Sequence, residues 1–166
     1  MNMHLTEIEK DILEILAQDA RRTPAQIALM LGAEVSKVQE AIKELEDARV
    51  VVAYPALINW DKSQAESVEA VIEVRVTPMK GYGFDAIAEQ IMEFPEVENV
   101  YLMSGAYDLL LFVRAKTLKE LAMFVAERLA PIENVISTAT HFMLKRYKIS
   151  GITMDKHEDK RQAVSQ

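Results

Sequence analysis

The sequence predicts an α+β protein in two parts, and three observations carry that prediction. Up to residue 48 the apolar side chains recur at helical spacing in three short blocks separated by cap and stop residues. After Trp60 one phrase occurs twice: strand, helix, a proline and the tripeptide Glu-Asn-Val, at Pro95 with residues 98–100 and at Pro131 with residues 133–135. Between the copies, residues 109–113 are five consecutive apolar residues. A strand with one wet face alternates, so this one is expected at the centre of a sheet with both faces covered.

Taken in order, Thr6 and Glu9 form a capping-box pair that should open a first helix, with Leu5, Ile8, Ile12, Ile15 and Leu16 as its apolar face. Thr23, Pro24 and Gln26 open a second, whose core contacts should be Ile27, Met30 and Leu31, and Gly32 stops it. A third is expected over residues 35–48, burying Val35, Val38, Ile42 and Leu45. Three short helices with a glycine turn before the last make a helix-turn-helix. Residues 50–58 then read as a small two-stranded wing, confined to an edge or a turn by Pro55.

The polar stretch after Trp60 is the expected boundary. The predicted domains are a winged helix-turn-helix over 1–60, a linker over 61–67, a ferredoxin-like domain over 68–150 and a mobile polar tail over 151–166. In the third of these, residues 68–78 should form a strand, and Phe84, Ile87, Ala88, Ile91 and Met92 should mark a helix. Two strands meeting at a corner follow at residues 101–115, where Gly105 supplies the positive φ of a tight turn and Asp108 opens the second strand. Leu118, Leu121, Ala122, Val125 and Leu129 mark another helix, and residues 135–147 a last strand. Duplicated strand-helix-strand units of this kind give a four-stranded antiparallel sheet with two helices on one face. A strand apolar on both sides needs a cover for the other face. A second copy is the economical choice, which predicts a dimer joined sheet to sheet.

Composition narrows the function. With no cysteine, disulfides, thiolate metal sites and thiol catalysis are excluded together, as fits a cytoplasmic protein. Residues 1–10 lack the pattern of a signal peptide, and no apolar run approaches the ~20 residues that span a bilayer. The net charge of −7 argues against indiscriminate adhesion to nucleic acid or anionic membrane. His4, His141 and His157 show no ligand spacing and no nucleophile or carboxylate partner, and no phosphate loop or dinucleotide fingerprint is present. No cofactor, metal site or catalytic residue is therefore expected, and an enzyme built on facing ferredoxin-like sheets is the remote alternative.

From Leu5 to Tyr147 the chain resembles the Lrp/AsnC, or feast/famine, transcriptional regulators. The resemblance is carried by Asp11-Ile-Leu, Ile27-Ala-x-x-Leu-Gly32, the Val38-x-x-x-Ile-x-x-Leu-Glu46 pattern, Val50-Val51 with Tyr54, Ser104-Gly-x-Tyr-Asp108 and Thr138-x-Thr140. It implies DNA binding by dimers of the N-terminal half and assembly up to octamers through the C-terminal half, the RAM domain. Small effectors, commonly amino acids, are then expected between dimers near the Gly-x-Tyr-Asp corner. Three departures accompany it: Glu34 where the family usually caps the recognition helix with Ser, Ala41 where it usually has Arg, and Arg49 where it usually has Gly.

On these readings the DNA-binding candidates are Ser36, Lys37, Gln39 and Lys43 on the third helix, with Arg21 and Arg22 at the mouth of the second placed to hold phosphates. Through residue 62 the chain carries seven basic and eleven acidic side chains, a net charge of −4, so binding to double-stranded DNA should be weak or rest on few contacts. A protein of the same fold that senses or assembles with DNA binding weakened or lost is the nearer alternative. The effector candidates are Met103, Gly105, Tyr107, Asp108, Thr138 and Thr140: Asp108 for an ammonium, the turn amides or the two threonine hydroxyls for a carboxylate, Met103 and Tyr107 as walls. The plainer role for Asp108 is a turn residue bonded to its own backbone.

Overall fold

The structure, a computed structural model, describes residues 4–63, 67–78 and 83–155. The chain divides into two compact units, Met1–Ile58 and Asn59–Gln166, each with its own core.

The first unit is three helices, α1 (Glu7–Gln18), α2 (Pro24–Leu31) and α3 (Val35–Asp47). Thr6 and Glu9 cap α1 reciprocally, and Thr23 and Gln26 do the same for α2, which carries Pro24 in its first turn. The Thr6 hydroxyl and then its N–H hold the Glu9 carboxyl below its ordinary range, so the box is formed by the carboxylate. Gly32 ends α2 at φ 63°, the left-handed conformation only glycine adopts without strain. Ile12, Leu16, Ile27, Ala28, Val38, Ala41 and Leu45 form the core. Two expected core residues are corrected: Met30 and Val35 are exposed, while Ala28 and Ala41 are buried. Val35 shares the stripe of Val38 but, as the first residue of α3, lies outside that core. The expected two-stranded wing is also corrected, because residues 50–58 make no ladder. Pro55 has no N–H to give and an isolated two-stranded ribbon is marginal. Instead Tyr54 Oη donates to Glu46 at 2.7 Å, tying the segment back to α3, and burial with that carboxylate raises the phenol pKa to about 12.

The second unit contains β1 (Val68–Val76), α4 (Asp85–Met92), β2 (Val97–Leu102), β3 (Leu109–Ala115), α5 (Leu118–Phe124), a π-helical turn at Val125–Leu129, and β4 (Val135–Phe142). Its sheet runs in the order β2-β3-β1-β4 with every pair antiparallel, as the duplicated unit requires. Register separates the two faces. Ala70, Ile72, Val74 and Val76 on β1 and Leu109, Leu111 and Val113 on β3 face Ile87, Ile91, Leu121, Phe124 and Leu129 and are buried. Val71, Leu110 and Phe112 point to the opposite, helix-free face and are half-buried, with Tyr101 edge-on to Phe112 at 6.0 Å. Met92, Leu118 and Ala122, expected in the core, are exposed, and Phe124 takes the buried place on α5.

The last strand ends at Phe142, short of residue 147. A short hairpin follows, β5 (Lys148–Ile149) and β6 (Ile152–Thr153), paired only with itself. Residues 151–155 are thus folded rather than a mobile tail; the rest of the expected tail, His157 included, and residues 64–66 of the expected linker lie outside the described residues.

Candidate nucleic-acid interface and effector site

Burial of Val38, Ala41 and Leu45 turns the opposite side of α3 to solvent, and Ser36, Lys37, Gln39 and Lys43 are all exposed on it. The four candidates therefore share the accessible side of one helix. Lys37 leans on Glu34 at 3.6 Å. Glu34 provides no side-chain cap, so the departure from the usual serine leaves the first turn of α3 without a side-chain acceptor. Arg21 and Arg22 both pair with Asp19, at 3.0 and 3.5 Å. The Arg21 hydrogen bonds hold the Asp19 carboxyl below its ordinary range. These pairs are solvent-exposed and hence weak, so a phosphate can compete for the same cations. Ala41, where an arginine was the expectation of the resemblance, is buried at 8% exposure and faces the helical core.

The corner between β2 and β3 occupies residues 103–108 and is closed by Met103 N–H donating to the Asp108 carbonyl at 2.8 Å. At six residues it needs no left-handed position, and Gly105 is not among the positive-φ residues, which corrects the expectation of a glycine-dependent tight turn. A Cβ placed on Gly105 would meet nothing within 4 Å, so the approach to its backbone is open. Asp108 is half-buried. Its N–H donates to the Val74 carbonyl at 3.0 Å, and its Oδ2 accepts from Val76 N–H at 2.9 Å. Antiparallel pairing turns Val76 N–H toward β3, but the chain has left the ladder at the corner, so the carboxylate stands in for the missing strand partner. Asp108 thus has a structural bond, while its Oδ1 has no hydrogen-bond partner among the described residues.

Met103 is exposed beside this corner and Tyr107 half-buried within it. The two threonines lie elsewhere. Thr140 pairs with Ile72 and Thr138 with Val74, so both are on the helix-bearing face of the outer strand β4, with β1 between them and β3. Within one chain the structure brings Met103, Gly105, Tyr107 and Asp108 together and does not bring Thr138 and Thr140 to them.

A further constellation went unread in the sequence. Arg114, on the helix-free face of β3, pairs with Glu69 at 3.0 Å and Glu98 at 2.6 Å, and Arg146 pairs with the other oxygen of Glu69. The Trp60 ring lies over the Arg114 guanidinium, 5.4 Å from its centroid. His141, expected to lack a carboxylate partner, lies 3.4 Å from Glu73 on the same face, which corrects that reading: the partner comes from the neighbouring strand β1, out of local sequence reach. Arg114 ends an apolar strand, which was the only signal for it. Among the described residues no group of three or more His, Cys, Asp or Glu could hold a metal ion, and no helix is long and apolar enough to cross a membrane.

Two family models match the chain: a winged helix-turn-helix DNA-binding model over residues 5–52, and the Lrp/AsnC ligand-binding domain over residues 69–160. The chain is 44% identical over 163 residues to the HTH-type transcriptional regulator YugG of Bacillus subtilis, covering 98% of each protein. It is 30% identical over 142 residues to the HTH-type transcriptional regulator LrpA of Pyrococcus abyssi, covering 86% of this chain and 98% of that one. Its fold is shared with a transcriptional regulator of Neisseria meningitidis solved as a complex with L-methionine, at a TM-score of 0.70, 24% identity, and coverage of 92% of this chain and 98% of that one.

Proposed function

The chain belongs to the Lrp/AsnC family of transcriptional regulators, and from that premise we propose that it reads a two-fold DNA site as a homodimer and answers to a free amino acid bound at the Asp108 corner. Membership makes it a DNA-binding regulator with a ligand-binding domain, and sets it apart from enzymes. The finer reading is supported chiefly by α3, which buries one side and leaves Ser36, Lys37, Gln39 and Lys43 exposed on the other. Gln39 is the side chain suited to an adenine edge, and Lys37 and Lys43, with Arg21 and Arg22, to phosphates. At the corner, the spare oxygen of Asp108 beside the open Gly105 backbone suits an ammonium group. Because Thr138 and Thr140 lie apart from it in one chain, a carboxylate partner comes from turn amides or from another protomer, which links ligand to assembly of dimers up to an octamer. The working compartment is the cytoplasm.

A mobility-shift titration on the protein's own promoter region tests the DNA reading. Lys37→Ala should weaken binding to every sequence and reduce the salt slope by about one, whereas Gln39→Ala should alter which sequence is preferred. A screen of the twenty amino acids by melting temperature and light scattering tests the effector. No response to any of them removes the amino acid from the proposal. The second reading, a sensor with DNA binding lost, is favoured by the Glu34–Lys37 and Asp19–Arg21 pairs and the acidic N-terminal half. It is selected if wild type binds nothing while Glu40→Lys creates binding.

A further inference from the structure

Asn59 to Lys62 directly follow the last residue of the helical unit, and the sheet-bearing unit holds them by three different chemistries. Asn59 Nδ2 donates to the Met154 carbonyl at 3.1 Å, and Lys62 pairs with Asp155 at 3.2 Å. Trp60 stacks on Arg114, which Glu69 and Glu98 fix from its other sides. Between these anchors the chain makes a 3₁₀ turn, Lys62 N–H donating to the Asn59 carbonyl and Ser63 N–H to that of Trp60.

Two of the three partners lie just beyond the hairpin that follows β4. β5 and β6 are joined by Ser150 and Gly151, both at positive φ, and Met154 N–H donates to the Tyr147 carbonyl, which closes the base of the hairpin. The hairpin adds no strand to the four-stranded sheet, so the sheet does not account for its presence. Its contacts run to the connection instead. Lys145, at its other foot, also pairs with Asp155, at 3.5 Å, and the Lys62 ammonium, with Lys145 behind it, holds the Asp155 carboxyl below its ordinary range. An exposed ion pair is worth little alone, so the hold depends on the combination.

We propose that the C-terminal hairpin is a strap that docks residues 59–62 onto the sheet-bearing unit and so sets the length of the tether to the helical unit. With the strap in place the tether is residues 55–58, four in number, because Tyr54 is tied to α3; without it residues 59–63 join it, nine in number. Its greatest reach then rises from about 14 Å to about 31 Å at roughly 3.3–3.6 Å per residue. The effective concentration of one DNA-binding unit at its partner's half-site falls about threefold by the −3/2 power of tether length. That last consequence rests on the dimeric DNA reading above; the docking itself does not.

Trp60 is the single tryptophan of the chain, so its fluorescence reports the docking directly. The intact protein is compared with a chain ending at Tyr147 and with the double variant Asn59→Ala, Asp155→Lys, which removes both strap contacts without shortening the chain. In both, Trp60 emission should move to the red, acrylamide quenching should rise at least twofold, and the Lys62 and Ser63 amides should exchange at least tenfold faster, with the circular dichroism of the sheet unchanged. If the shortened chain does not fold, the double variant decides alone. Quenching and exchange equal to wild type in a folded variant overturn the strap.

Discussion

Arg49 sits at φ 57° just past the end of α3. Arg49 N–H donates to the Glu46 carbonyl at 3.0 Å and Val50 N–H to that of Leu45 at 2.9 Å, the paired bonds of a Schellman motif, whose left-handed position glycine usually fills. An L-residue there is strained by about 1 kcal/mol, so Arg49→Gly should stabilise the helical unit by about that amount and raise its melting temperature by several degrees. An unchanged melting temperature would mean that the arginine is compensated elsewhere. Asp108 yields a second prediction at this scale, because its two oxygens differ. Asp108→Asn keeps an oxygen to accept from Val76 N–H and loses the charge offered to an ammonium. Asp108→Ala loses both and leaves a buried amide unsatisfied, a cost of about 1–2 kcal/mol. Denaturant titration should find the Asn form close to wild type and the Ala form destabilised, with neither responding to the proposed amino-acid effector. Equal stabilities would show that the Val76 bond contributes nothing.

Among elements, α3 is the one whose start is unfinished. α1 and α2 each have a reciprocal cap, while α3 begins at Glu34 with none. Glu34→Ser should add about 1 kcal/mol of stability. It also releases Lys37 from its ion pair and removes a negative charge beside the proposed DNA-facing side, so mobility-shift affinity should rise together with thermal stability. A rise in stability without a rise in affinity would separate the helix end from DNA contact. In β3 the two faces make opposite demands. Leu111 is 0% exposed among the helices, so Leu111→Asp should unfold the second unit. Leu110 points to the helix-free face and is only half-buried, so Leu110→Asp should leave the fold intact and abolish the proposed sheet-to-sheet dimer. Light scattering with circular dichroism tells these apart, and a Leu110→Asp protein that is still dimeric would move the interface off that face.

At the scale of the whole molecule, the acidic balance governs how the protein meets DNA. With a net charge of −4 through residue 62, attraction must come from a few placed cations against a general repulsion. Binding should therefore appear at low salt and fall steeply, by an order of magnitude or more, as salt rises from ~50 to ~200 mM. Affinity that hardly changes over that range would show that phosphate contacts are not its source.

Local chemistry and periodicity in the sequence determined the helices and sheet strands and their order, but not the absence of the predicted wing at residues 50–58 or the hairpin after β4. The Thr6–Glu9 and Thr23–Gln26 boxes, the stop at Gly32 and the duplicated strand-helix-strand units are written in residues close together in the chain, and the structure has each of them where the sequence places it. Five apolar residues in a row marked β3 as central, but could not say that Leu111 faces the helices and Leu110 the opposite face, because alternation gives two faces without naming them. Met30, Val35, Met92 and Leu118 were misplaced for a related reason: an apolar side chain at helical spacing is compatible with the core, and only the packed neighbour decides whether it is covered. Contacts between distant residues were decided by tertiary structure alone. Asp108 accepts from Val76, Arg114 lies between Glu69, Glu98 and Trp60, and Asn59 bonds to Met154, ninety-five positions away; partners that far apart in the chain leave no local pattern to read.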